Sequence, residues 1–490
     1  MQNILSKEFV EDEMRYWKVP GLSGAVIQDG ETVFSGGWGV RGTETGGSVT
    51  EHTRFGIASC SKSMTSALIA MLVDDGLLDY DTPVAEYIPG FRLLDPVASA
   101  QVTLRDMLCH RTGLGGHDGM WPGSISRAEF TRRLRYLEPN APFRSKGQYS
   151  NTVYTLIGHV AECVTGKTWE ELIRERIFAP LAMTESSCSI EELRAEPDHA
   201  EPHCVRDGKI LQIPTWDVNL AGPAASVNSS AADMAKWLSM QIEGGRAGNR
   251  QLIRPETFAQ MHQPHISLPD SAGTLPGFSS CNLYALGWRT GQYRGFEIQK
   301  HMGKIEGFSS IQAYLPEKRI GAVFLMNLHT PSVYLLYTLL YTVFDRLLGL
   351  PGADWKKAFH PDGGPTEAMY RVNDIDLLPD PPVPGTRLAH KPEDYAGVYR
   401  SDAYGGAEVT LKDGSFRLRF RDLRDLPMNH YHYDTFKVEG VKEDTMTYSM
   451  PLTFLTDPGT GAVSSFLFRL EPLVDAVLFR RVPGDASFSE

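Results

Sequence analysis

Four prolines within the eight residues 378–385 (LPDPPVPG) constrain this chain more than any other feature. Proline fixes its own φ and has no amide proton to donate, so neither a helix nor an interior strand can run through such a stretch. The chain must therefore fold as separate units on either side of it. Pro and Gly are enriched across 349–392, and we read a first domain at 1–350, a linker at 351–386 and a second domain at 387–490. With 490 residues, of which 42% are hydrophobic and 22% charged, the chain has enough apolar material for two packed cores.

Residues 22–39 (LSGAVIQDGETVFSGGWG) predict a hairpin turned by Asp29-Gly30. From Ser59 to Asp75 the period changes: Met64, Leu68, Met71 and Leu72 recur at helical spacing, and Gly76 stands at the expected C-terminal cap. Helical periodicity returns at 152–164, 168–177 and 231–242, residues 297–328 predict adjacent antiparallel strands, and 333–348 predict a closing helix. Strands at both ends of a helical middle imply an α+β domain whose two chain ends share one sheet. Beyond the linker, short alternating runs such as AEVTLKDGSFRLRF and SSFLFRL predict a small all-β barrel or sandwich. At the end of the first of these runs and one residue past it, Arg417, Arg419 and Arg421 alternate with Phe416, Leu418 and Phe420, which sets a solvated cationic face against an apolar one.

Acidic residues outnumber basic ones by 12, and neither domain carries a positive surplus, which argues against nucleic acid or an anionic membrane as a partner. The N-terminus MQNILSKEFVEDEM has no apolar run before a small-residue cleavage site, so no secretory leader is expected. The apolar stretch 333–344 is too short for the roughly 20 residues that cross a bilayer. Six cysteines scattered without CxxC pairs read as free thiols in a reducing cytoplasm. His199 and His203 have helical spacing, but Pro202 breaks the helix between them, and His430 with His432 lacks a third ligand, so no metal is expected. The glycines of 112–116 follow no strand and open no dinucleotide-type helix, so no nucleotide or other cofactor is expected either.

The chemistry concentrates in three short segments. Ser59 and Lys62 stand three residues apart where a loop enters the apolar helix, so their side chains can touch. A serine hydroxyl needs something to take its proton, and a lysine amine can do so once desolvation lowers its pKa. Ser61 and Ser63 flank Lys62 but project about 100° away from it. In the second segment, Tyr149 and Asn151 point the same way along an extended loop. A phenol whose pKa is lowered by a neighbouring ammonium can share the serine's proton, and the amide can meet a substrate amide. In the third, His301 and Gly303 face one side of a predicted strand, where the glycine admits a close backbone approach. Taken singly, each segment also has a bland reading: Ser59 as a helix cap, Tyr149 as core with Asn151 capping the next helix, His301 as a structural histidine.

The order SxxK, YxN, HxG resembles the serine penicillin-recognising superfamily, and within it the class C β-lactamase-like branch that also holds DD-carboxypeptidases, D-aminopeptidases and esterases. The likeness spans about residues 8–348 and is supported by Val19-Pro20-Gly21 and by the segment Leu104 to Leu114. It implies a β-lactamase/transpeptidase-like fold, in which an antiparallel sheet flanked by helices carries an all-helical subdomain. The second domain looks like the lipocalin-like barrels appended to some relatives. The resemblance further implies Ser59 as acylated nucleophile, Lys62 and Tyr149 as the proton-transfer pair, and Asn151 as a substrate-amide contact. His301, Gly303 and Lys304 would form the third motif, with an oxyanion hole from the amides of Ser59 and Lys304. Many β-lactamases and penicillin-binding proteins have lysine where His301 stands, which argues here for ester or aminoacyl-amide chemistry over penicillin hydrolysis. The expected function is a serine hydrolase acting on a small amide, D-aminoacyl peptide or ester. β-Lactamase, carboxypeptidase and a non-catalytic scaffold are the alternatives, and a homo-oligomer is left open.

Overall fold

A computed structural model describes residues 4–483, apart from 122–124, 271–273, 276, 330–332, 372–373, 380, 421–422 and 443–445. Arg421 thus lies outside the described residues. In the first domain nine strands form one antiparallel sheet, in the spatial order Ile266–Ser267, Ser279–Tyr284, Arg289–Tyr293, Phe296–Ile305, Phe308–Leu315, Ile320–Met326, Gly21–Gln28, Glu31–Gly42, Gly46–Ser48. The first hairpin turns at Asp29 (φ 52) and Gly30 (φ 85), the left-handed pair that a two-residue turn requires. The first and last strands of this domain meet where Leu22 pairs with Met326 and Gln28 with Ile320.

Both faces of this sheet are covered, which is why its central strands carry no polar alternation. In Ile320–Met326, Val323 and Leu325 face one core and Ala322, Phe324 and Met326 the other. The second core is closed by the helices Lys7–Tyr16 and Val333–Leu347. Against the first lie Ala231–Ile242 and the buried helix Ser61–Asp74, beyond which short helices, with Asn151–Thr165 the longest, make an all-helical subdomain. The helix expected at 168–177 is α-helical only over Trp169–Ile173 and widens to a π turn at Arg174–Phe178. Residues 355–359 and 367–370, inside the stretch read as linker, form short helices, and Trp355 and Phe359 are buried in the second core of the sheet domain.

The second domain is a closed barrel of eight antiparallel strands from Gly397–Ser401 to Val477–Arg481, sealed where Tyr399 pairs with Arg481. Phe416, Leu418 and Phe420 point inward and join a stack of aromatic rings, among them Phe436, Phe454, Phe466 and Phe479. An eight-stranded barrel is narrow enough for side chains to fill it, and aromatic rings occupy this one. Arg417, on the outer face, reaches the carbonyl of Asp425.

Among the described residues no helix is long and apolar enough to cross a membrane. Cys60, Cys109, Cys163, Cys188 and Cys281 are free thiols. His203 binds the Thr43 amide and the Asn327 carbonyl through its two ring nitrogens, and His430 reaches the Tyr433 carbonyl.

Candidate active site

Ser59 stands in a single 3-10 turn, Ala58–Cys60, one step before the helix Ser61–Asp74 rather than within it. Ala58 is held at φ 48, a conformation unfavourable to a residue with a Cβ, and the turn that imposes it is tied down on all sides. The Ser61 hydroxyl donates to the Ala58 carbonyl at 2.6 Å and accepts from the Val227 amide at 3.1 Å. That of Ser63 donates to the Cys60 carbonyl, and Ser310 donates to the Ile57 carbonyl. Ser61 and Ser63 are thus structural fasteners, while Ser59 is half-buried and lines the cleft.

Lys62 is wholly buried. Its Nζ donates to Ser59 Oγ at 3.0 Å, to Asn151 Oδ1 at 2.6 Å and to the Ala224 carbonyl at 2.9 Å. Burial lowers its pKa to about 7, against the opposing pull of Asp118, so close to neutral pH the amine is free of its proton for much of the time. The ammonium also lies 4.7 Å from the centroid of the Tyr149 ring.

Tyr149 and Asn151 are delivered by a loop that His110 anchors: the Ser150 amide donates to His110 Nδ1 at 3.1 Å, and the Gln148 amide donates to the His110 carbonyl. Burial keeps His110 neutral, so the nitrogen can accept. Ser150, not Asn151, caps the helix Asn151–Thr165, which frees the amide of Asn151 to face Lys62. The Tyr149 phenol hydrogen-bonds Ser59, but burial raises its pKa above the usual range instead of lowering it as the sequence suggested. It is a neutral hydroxyl, able to relay a proton but not to act as a standing phenolate.

His301 lies on the cleft wall, on the strand Phe296–Ile305, with both ring nitrogens engaged: Nδ1 with the Met302 carbonyl at 2.8 Å and Nε2 with the Tyr284 hydroxyl at 2.9 Å. Burial first, and then Lys62, push its pKa down to about 3. It is therefore a neutral spacer, and a hydrogen bond from it to a substrate would require breaking one of these two. Gly303 packs directly on the turn that carries Ser59, where a Cβ would fall 2.0 Å from the Ile57 carbonyl oxygen. Lys304 is exposed at the mouth of the cleft.

The cleft has a volume of about 300 Å³ and is lined by Ser59, Tyr149, Asn151, His301 and Lys304 together with Arg289 and Asp270. Sequence reasoning missed Arg289, Asp270 and Asp118. Arg289 is half-buried on the strand Arg289–Tyr293, braced by the Leu268 carbonyl at 2.6 Å. Asp270 would be raised by burial, but Lys300 and Arg289 hold it down at about 2, and it accepts from Tyr337. Asp118 accepts from Asn151 Nδ2 with both oxygens at 3.3 Å, and burial raises it to about 6. No motif marks these three; the tertiary fold brings Arg289 and Asp270 to the cleft wall and Asp118 to the far side of Asn151.

A family model described as "Beta-lactamase" matches residues 7–340. The chain belongs to the beta-lactamase family. A second model, described as "Domain of unknown function (DUF3471)", matches residues 381–480. Among curated relatives, "Unguisins hydrolase ungD" of Aspergillus violaceofuscus is 30% identical over 82% of this chain and 75% of its own length. "Penicillin-binding protein 4" of Amycolatopsis lactamdurans is 28% identical over 71% of this chain and 90% of its own. Among solved structures, an octameric penicillin-binding protein homologue from Pyrococcus abyssi shares the fold over 97% of this chain and 99% of its own, with a TM-score of 0.59 and 23% identity. The beta-lactamase-like first domain and the barrel behind it are therefore shared with a protein of the same overall extent.

Proposed function

We propose that this member of the beta-lactamase-fold serine hydrolases acts through an acyl-enzyme on a small amide, D-aminoacyl peptide or ester. The observation that carries the reading is the buried Lys62 amine 3.0 Å from the Ser59 hydroxyl with its pKa near 7. In that state the lone pair of Lys62 takes the Ser59 proton as Oγ bonds to the substrate carbonyl carbon, whose π electrons move to oxygen. The backbone amides of Ser59 and Lys304 would hold that oxyanion. The ammonium of Lys62 then returns its proton, with the neutral Tyr149 hydroxyl as relay, to the leaving nitrogen or oxygen as the bond to it breaks. Water repeats the sequence on the acyl-enzyme and releases the acid. Asn151 offers its amide to the substrate, and Gly303 lets the substrate backbone lie close to the strand.

A second reading, cleavage of substrates that end in a free carboxylate, is favoured by Arg289. The neutral His301 supplies no charge, but a guanidinium and the Lys304 amine on the cleft wall give a carboxylate two cationic partners. The relatives named a hydrolase and a penicillin-binding protein are compatible with either reading. The buried free thiols of Cys60, Cys109, Cys188 and Cys281 support a reducing compartment, and the octameric relative supports self-assembly of this chain.

Labelling with a fluorophosphonate followed by peptide mass spectrometry tests the reading: the adduct is expected on Ser59. An adduct on another serine, or none, sinks it. A screen of D- and L-aminoacyl amides, short-chain esters, carboxylate-terminated peptides and a chromogenic cephalosporin then separates the two readings.

A further inference from the structure

The barrel reaches the proton network from behind. Ahead of the 3-10 turn Asp118–Met120 the backbone runs through two left-handed residues, Gly116 (φ +71) and His117 (φ 64). A backbone curled in this way turns successive amide protons toward one point, a concavity suited to an anion. The group seated there is the carboxyl of Glu471, from the barrel segment between the strands Val463–Phe468 and Val477–Arg481. It accepts from the Gly119 amide at 2.8 Å, and the amides of Asp118 and His117 bond it as well. The fit is close: a Cβ on Gly116 would fall 3.0 Å from one oxygen of Glu471, and a Cβ on Gly119 would fall 3.2 Å from the other. On either side, the barrel's Tyr404 hydroxyl meets His117 Nδ1 at 2.8 Å, and Asn140 Nδ2 donates to the Leu473 carbonyl at 3.0 Å.

What this clasp immobilises is Asp118. An ionised carboxylate can only accept hydrogen bonds, so Asp118 obliges Asn151 to present its nitrogen there and its oxygen to Lys62. The orientation of that amide in turn fixes where the Lys62 amine points, 3.0 Å from Ser59. We propose that Glu471 is a positioning residue through which the C-terminal barrel aligns the Lys62–Ser59 pair, by way of the backbone of 117–119, Asp118 and Asn151. The proposal rests on the reading of Ser59 and Lys62 as the acylating pair. It gives the second domain a role in the reaction although Glu471 touches neither nucleophile nor base.

The titratable groups around the relay limit how it can respond to pH. Glu471 faces Asp118, with the neutral His117 and Tyr404 beside it, and burial and then Asp118 raise it to about 7. Lys62 faces Asp118, Cys60, Tyr149 and Tyr154, and His110 and His301, which burial keeps neutral. Of these, Asp118 is a group that raises the pKa of Lys62 by its charge, so its displacement lets that pKa fall further.

The test uses the full chain with Glu471→Ala and the isosteric Glu471→Gln, measuring ester hydrolysis across pH and counting active sites by fluorophosphonate labelling. Glu471→Ala is expected to lower kcat/KM about ten- to a hundredfold per labelled site, as small misplacements of catalytic groups do. The ascending limb of its pH profile should move to lower pH. Glu471→Gln keeps an acceptor oxygen and should recover part of the rate, and it carries the test if the alanine variant does not fold. Wild-type kcat/KM and an unmoved limb in the folded variants overturn the proposal. So does a loss of rate that merely tracks the loss of labelled sites with the limb in place. A wild type that forms no Ser59 adduct overturns the functional reading beneath it, whereas wild-type turnover with indifferent variants overturns this inference alone.

Discussion

Lys62 and Asp118 are joined through a single amide: Asn151 takes the lysine amine on its oxygen at 2.6 Å and gives its nitrogen to the carboxylate at 3.3 Å. The candidate base is thus tuned by a charge it does not touch. Rate should rise with pH through a limb near 7, because only the deprotonated amine can accept from Ser59. Asp118→Asn removes a charge that raises Lys62, so the limb should move to lower pH. A limb that stays in place in this variant would separate Asp118 from the network.

Ser59→Ala should abolish the covalent adduct. Ser61→Ala should keep the chemistry but lower stability by about 1–3 kcal/mol, because the Val227 amide loses its buried acceptor. Mass spectrometry of the labelled protein and thermal unfolding of both variants check the pair.

Lys62→Ala and Tyr149→Phe should each reduce kcat/KM by about a hundredfold or more, the usual cost of losing a proton-transfer partner. The two losses differ in kind. Tyr149→Phe should leave the limb near 7, since that limb belongs to the lysine. Full activity in Tyr149→Phe would make Tyr149 a packing residue.

Hydrolysis of simple esters and aminoacyl amides should exceed that of a cephalosporin by orders of magnitude in kcat/KM. Arg289→Gln should widen that gap and His301→Lys should narrow it. If Arg289→Gln raises KM about tenfold for a peptide with a free C-terminal carboxylate and leaves simple esters alone, the guanidinium is the carboxylate's partner. A cephalosporin turned over as fast as the best ester would favour the β-lactamase reading.

Gly303→Ala should impair Ser59 labelling, because a Cβ at 2.0 Å from the Ile57 carbonyl must displace the turn that carries the serine. Circular dichroism of the variant distinguishes this local shift from unfolding.

Much of the fold was legible because its elements announce themselves locally. Asp29-Gly30 marks the hairpin, the apolar spacing from Met64 to Leu72 marks the buried helix, and the proline-rich run marks the break before the barrel. The three motif segments were legible for the same reason, each being contiguous. Desolvation is not a property of a segment. The pKa of Tyr149 was expected to fall beside an ammonium and instead rises, because the rings and backbone that enclose it come from His110, Tyr284 and His301. Asn151 was weighed as a cap, a task Ser150 performs, and that distinction depends on which of two adjacent side chains the helix turns outward. Asp118 and Arg289 gave no signal, since a carboxylate in a glycine-rich loop and an arginine in a short strand are ordinary until something is folded against them.

The pairing of the strands Gly21–Gln28 and Ile320–Met326 has a consequence for the order of events during synthesis. The Gly21 amide meets the side chain of Asn327 across 306 positions. As the chain leaves the ribosome, its first hairpin must wait, one edge unpaired, until almost the whole domain has emerged. The strand that presses Gly303 against the Ser59 turn arrives in that same late stretch. Nascent chains stalled before residue 320 should therefore carry Ser59 without reactivity, and a chaperone that covers the waiting edge would be guarding the unfinished enzyme from aggregation.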